Sequence, residues 1–190
     1  MIRRLTSKED GKKKKKRNQI VVSVILAGIM LFSTLAYSFG ANPGQQETTV
    51  TYNGYDFTYL NGLWNLNLGA NVFSFANNPN AAYKVESDVK LLIDYSAKPL
   101  YFYSENLDAE SEIYRNLYPI VRAIGDVCPA ENSSCGENLP VKTCSDNFII
   151  IKNSTVVKVE QKDGCVFIEG PAQDLTKIAD GFVLKVIGVQ

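Results

Sequence analysis

No histidine occurs anywhere in the 190 residues of the chain. That absence excludes Ser-His-Asp and Cys-His catalysis, histidine-ligated metals and imidazole proton shuttling. No Cys-x-x-Cys pair is present: Cys128, Cys135, Cys144 and Cys165 stand seven, nine and 21 residues apart. This spacing argues against a thioredoxin-like exchange centre and leaves a zinc site as a poor alternative. The phosphate-cradling loops GxGxxG and GxxxxGK[ST] are also missing. The chain therefore implies no metal and no cofactor, and the chemistry left open to an enzyme is that of carboxylates.

One long apolar run is present. Ile20 to Phe39, IVVSVILAGIMLFSTLAYSF, carries no charge and follows directly on Lys12 to Lys16 and Arg17. As a helix it would rise about 30 Å, the thickness of a bilayer's hydrocarbon core. Basic residues beside a span hold that flank in the cytoplasm. The expected layout is a basic cytoplasmic tail at 1–17, a transmembrane signal-anchor helix at 18–40, a connector at 41–47 and an extracytoplasmic domain at 48–190. Ala36-Tyr37-Ser38 and Ser38-Phe39-Gly40 resemble signal-peptidase sites, but the apolar core is longer than a cleaved signal needs. Arg3-Arg4 fits a twin-arginine signal poorly. Ala27-Gly28 and Ser33-Thr34 offer small residues for packing against another span, without a GxxxG pair.

The nominally neutral total hides a division at this span. Nine of the 20 basic residues lie in the tail, leaving 11 basic against 18 acidic residues beyond it, a net charge of about −7. A domain of that sign is not built to neutralise phosphates, so no nucleic-acid partner is expected. The membrane is one expected partner, and a protein at the outer face is the other.

After the connector the pattern has period two and is cut by turns. Thr48 to Tyr52, Tyr55 to Leu60 and Leu63 to Leu68 are joined by Asn53-Gly54 and Asn61-Gly62, the strongest short hairpin signal. Val72 to Ala76 adds a fourth strand. Tyr55, Phe57 and Tyr59 share one face, as do Trp64, Leu66 and Leu68. Alternating burial accounts for these faces, and a sugar-stacking platform is the competing use. Further on, Asp108 to about Ile124 has helical period, with Asp108 as cap, Gly125 as terminator and Pro119 as a kink or break. Asn147 to Lys152, Thr155 to Gln161 and Cys165 to Glu169 read as strands, and Lys162-Asp163-Gly164 as a hairpin turn. A last helix opens at Gly170-Pro171 with Leu175, Ile178, Ala179, Phe182, Val186 and Val189 in a stripe that packs on a core. The fold class is α+β: a mainly antiparallel sheet, beginning with the meander, under two helices.

The stretches Cys144 to Ile151, Cys165 to Gly170 and Ala179-Asp180-Gly181-Phe182 resemble those of uncharacterised single-span proteins predicted from small archaeal genomes, which also look like a basic tail, one span and a cysteine-bearing ectodomain. The resemblance covers the tail, the span and residues 144–188. It implies a membrane location and no catalytic residues.

An even cysteine count across the membrane implies two bridges. Cys144 with Cys165 is favoured because both precede strands that would be neighbours, and Cys128 with Cys135 closes a short loop. Asn132 and Asn153 head glycosylation sequons in expected loops. Glu105, Asp108, Glu110 and Glu112 cluster at a strand-to-helix junction. Paired, they would suit a glycosidase-like hydrolase, whereas acids in a first helical turn complement its dipole and face water. The reading favoured is a membrane-anchored binding or interaction module. The alternatives are a small carboxylate hydrolase of cell-surface glycans and a subunit of a membrane complex.

Overall fold

Two Asn-Gly steps shape the first sheet. Asn53 and Gly54 have φ of 48° and 84°, and Asn61 and Gly62 have 54° and 85°, the paired positive values that a type I′ turn demands. They join β1 (Thr48–Tyr52), β2 (Tyr55–Leu60) and β3 (Leu63–Leu68), and β4 (Asn71–Phe75) completes an antiparallel sheet in the order β1-β2-β3-β4. The computed structural model describes residues 8–40, 48–130, 135 and 138–190. The first seven residues, the connector 41–47 and Asn132 lie outside the described residues. Phe57, Leu66, Phe73 and Phe75 are buried, so the aromatic face of the meander lies in the core. Tyr59 and Trp64, with ring centroids 5.1 Å apart, stay at its rim.

A second sheet is built differently. A 3-10 turn at Pro79–Ala81 and the one-turn helix α2 (Leu92–Tyr95) lead to β5 (Pro99–Ser104), α3 (Leu107–Leu117) and β6 (Ala123–Asp126). The short pair β7 (Cys128–Pro129) and β8 (Val141–Lys142) precedes β9 (Phe148–Asn153), β10 (Lys158–Lys162), β11 (Cys165–Gly170) and α4 (Leu175–Val186). The strand order is β10-β11-β9-β5-β6. Only β10 and β11 pair antiparallel; β5 with β6, β5 with β9 and β9 with β11 are parallel. The α+β class and the antiparallel meander are as expected, while the second half departs from a mainly antiparallel sheet. The cause is α3, a helical crossover that returns the chain to lay β6 parallel to β5.

The helices differ from expectation at their ends. Asn106, not Asp108, caps α3: its side chain accepts from the Ala109 amide at 2.9 Å. The Ser104 hydroxyl and the Asn106 backbone exchange hydrogen bonds there, turning the chain two residues before Asp108. Pro119 stops the helix instead of kinking it, since it cannot donate to the carbonyl of Arg115. Ile124 and Gly125, expected on the helix and at its end, belong to β6. The last helix begins at Leu175 because Pro171 to Asp174 form a turn, closed by Asp174 N–H on the Pro171 carbonyl.

α4 is buried nearly all round and not along a stripe alone, as a helix enclosed by other elements must be. It packs against α3 and β11, and α3 packs against β4 and β5. One core thus joins the meander, both helices and one face of the second sheet through residues such as Phe75, Ile113, Phe182, Phe102, Ile149 and Val166.

A separate unit holds α1 (Lys8–Gly40), in which the lysine run and the apolar run are one continuous helix. Lys16–Ser33 is long and apolar enough to cross a membrane, and its large side chains from Ile20 to Phe32 are exposed.

Cys128 is bridged to Cys135 and Cys144 to Cys165. The second bridge ties the chain entering β9 to the first residue of its neighbour β11, where Cys165 pairs with Phe148. Gly164 is required beside it: its N–H donates to the Cys144 carbonyl at 2.6 Å, and any Cβ would strike the Asp146 and Cys144 carbonyls. With all four thiols in disulfides, none is left for zinc. Replacing Cys144 and Cys165 together by Ser should lower stability by about 3 kcal/mol through the freed loop, measured by chemical denaturation. No change would mean that the bridge is not formed in the protein.

Candidate functional site

The four acids at the start of α3 go four separate ways. Glu105 is exposed at the end of β5, and its carboxylate accepts from the Asn153 amide at 3.0 Å. Asp108 faces water. Glu110 is half-buried against Ser104 and the Asp126 carboxylate; burial first, and then Asp126, push its pKa up. Glu112, expected in solvent, is 4% exposed. It takes a two-pronged ion pair from Arg115 at 3.0 and 3.1 Å and accepts from the Ala76 amide at 3.1 Å.

This burial follows from helical spacing. Glu112 and Asn116, four residues apart, share the face of α3 that meets β4, an edge strand of the meander. The Asn116 side chain takes the place of a neighbouring strand: its Oδ1 accepts from Ser74 N–H at 2.7 Å and its Nδ2 donates to the Ser74 carbonyl at 2.9 Å. Asp180 of α4 continues the seal, its Oδ2 accepting from the backbone and side-chain amides of Asn77 at 3.2 and 2.9 Å. Its other oxygen is buried and receives no hydrogen bond. Burial pushes the Asp180 pKa up to about 8, the Asn77 bonds oppose the shift, and the adjoining Glu112 carboxyl adds to it. These carboxylates close a strand edge inside the fold. They do not line a cleft.

A groove exists elsewhere, on the face of the second sheet turned away from α3 and α4. Along β5, β9 and β11 alternate side chains point there, and the registers set them in two rows: Cys165, Phe148 and Tyr101, then Phe167, Ile150 and Tyr103. Past these rows lie Lys152 and Glu105. Pro129, Ala130, Lys142 and Thr143 form the wall opposite, around a volume of about 550 Å³. Lys142 lies 4.2 Å over the Tyr101 ring and 3.3 Å from Asp146, and its pKa is raised chiefly by the Tyr101 hydroxyl. The floor is aromatic and aliphatic, two lysines bear on it, and Glu105 is the only carboxylate among the described lining residues.

Among the described residues, no group of three or more Cys, Asp or Glu is placed to hold a metal ion. Asn153 is exposed as the last residue of β9. The chain matches no protein-family model, and neither a curated protein nor a solved structure is similar to it.

Sequence reasoning missed Asp180, Asn116 and the groove. An acid between Ala179 and Gly181 within an apolar helix was the available sign of a buried carboxyl. The unbroken run Phe148-Ile149-Ile150-Ile151 was the sign of a strand covered on both faces, as parallel strands are. Chemical denaturation should rank three substitutions in α3. Glu112→Ala should cost about 3 kcal/mol by leaving Arg115 and the β4 edge unpaired, Asn106→Ala about 1 kcal/mol as a lost cap, and Asp108→Ala about 0.5 kcal/mol or less. Equal effects at Asp108 and Glu112 would contradict this assignment.

Proposed function

We propose that the protein is a membrane-anchored, extracytoplasmic binding module whose ligand surface is the groove on the second sheet. α1 is its signal-anchor, with the lysine-rich end cytoplasmic and residues 48–190 outside. Two observations support that placement: a single N-terminal helix fit to span a bilayer and two disulfides in the following domain. The observation that carries the binding role is the groove of about 550 Å³ that the described residues form over Phe167 and Ile150, with Lys142 and Lys152 beside it. Such a surface takes an apolar group with an anionic end. A retaining or inverting hydrolase would need two facing carboxyl groups, and among the described residues the groove supplies Glu105, already held by Asn153.

Topology is tested with protease added to intact cells. The ectodomain should be removed while the lysine-rich tail survives. A mature chain beginning near Phe39 or Ala41 would replace the anchor with a secreted domain, and a protected ectodomain would reverse the orientation.

The groove is tested by capture of partners from native membranes with the full chain, comparing wild type with Tyr103→Ala and Phe167→Ala. Both side chains are partly exposed, so the fold should survive. Capture should fall about tenfold or more, as for aromatic anchors at the centre of an interface. Unchanged capture would remove the groove from the binding role, and loss of a hydrolytic activity on Glu105→Gln would promote the hydrolase instead.

A further inference from the structure

Two carboxyl contacts radiate from α3, one to Asp180 on α4 and the other to Asp126 at the end of β6. The first is the deeper. Asp180 is 1% exposed and Glu112 4%, and they accept from the consecutive backbone amides of Asn77 and Ala76, so the geometry sets two acids side by side on the bend that follows β4. Glu112 is fully engaged: Arg115 and Ala76 occupy both its oxygens. Asp180 has an oxygen that no donor reaches. An anionic Asp180 would stand beside an anionic Glu112 whose cation, Arg115, pairs with Glu112 alone, and among buried carboxyls that arrangement is costly. A proton on the empty oxygen removes the repulsion and supplies the missing hydrogen bond, donated to Glu112.

We propose that Asp180 and Glu112 form a proton-held latch, in which one proton held between them lets α3 and α4 grip the bend after β4 in acidic medium and its loss at higher pH loosens that grip. Among the described residues, the groups that face Asp180 are these. Glu112 and, through it, Arg115 face Asp180 from α3; Asn77 faces it from the segment after β4 and is neutral. The chain crossing α4 at Gly181 presents the backbone of Tyr83. On α4 itself Lys177 pairs with Asp174 at 3.7 Å, and Lys185 lies in the last turn.

The sign follows from proton linkage. With the latch closed, Asp180 keeps its proton up to about pH 8. With it open, the carboxyl ionises near the ordinary value of about 4. The open form therefore binds fewer protons between these limits, stability is greatest below about pH 4, and opening is favoured by up to about tenfold per pH unit until it levels near pH 8.

The test is amide hydrogen exchange on the full chain in detergent micelles, read as protection factors corrected for intrinsic exchange. Protection at Ser74, Ala76 and Asn77 should fall with rising pH, while Ile149 and Ile151 in the second sheet should change less. Asp180→Asn reproduces the protonated form, with an amide donor toward Glu112 and an oxygen for Asn77, and should hold protection at Ala76 and Asn77 level across the same range. Should that variant fail to fold, the infrared carbonyl band of a protonated carboxylic acid decides the matter in the wild-type protein. It should persist at neutral pH and fade as protection at Ala76 and Asn77 is lost. Protection independent of pH in the wild type, or no protonated carboxyl at neutral pH, would overturn the proposal.

Discussion

An edge strand cannot be buried with its backbone unpaired, because each hidden N–H or C=O without a partner costs as much as a lost hydrogen bond or more. β4 is such a strand, and the meander ends there. Asn116 meets Ser74 from both sides, Glu112 takes Ala76 and Asp180 takes Asn77. These three side chains are the buried polar residues of the described structure. They determine how α3 and α4 sit, because a rotation of either helix would take these partners from the main chain of Ser74, Ala76 and Asn77. The remaining packing, Phe75 and Phe73 against Ile113 and Phe182, follows from that docking.

How far the sequence revealed this depends on how local each cause is. The hairpins were legible to the residue, since an Asn-Gly pair dictates both turn and register with no help from elsewhere in the chain. The long apolar helix was equally plain. Parallel pairing was not, because nothing at Phe148 or Cys165 states which strand will lie beside it; only the lack of alternation in Phe148 to Ile151 gave it away. The acids of α3 show the limit from another side. Asp108 and Glu112 have the same local credentials, and the difference between solvent and core arises from where β4 ends, some 30 residues earlier in the chain.

The same sheet that escaped the sequence makes the groove. Where other open parallel sheets carry helices on both faces, the chain between β6 and β9 runs over the second face as an irregular excursion that includes the short β7 and β8 pair. Both disulfides belong to this excursion: one closes a loop within it and the other fastens its far end to β11. The wall formed by Pro129 and Lys142 is thus held covalently where a helix would have been held by packing. Among the described residues, no element of secondary structure lies over Phe167, and the binding role proposed for the domain uses the groove that remains there.

α4 has a consequence of its own. Leu175 to Val186 lies beyond every strand in the chain, yet it occupies the middle of the core. Contacts between it and the meander span about 100 residues, the separation of Asn77 from Asp180 being 103, and such distant pairings form slowly. The meander can therefore turn its hairpins early, but its aromatic face stays wet until α4 has been synthesised and brought back against it. In the topology proposed above, a chain cut short before Leu175 would leave the meander with Phe57, Phe73 and Phe75 uncovered, so the domain has no folded intermediate that lacks its last helix.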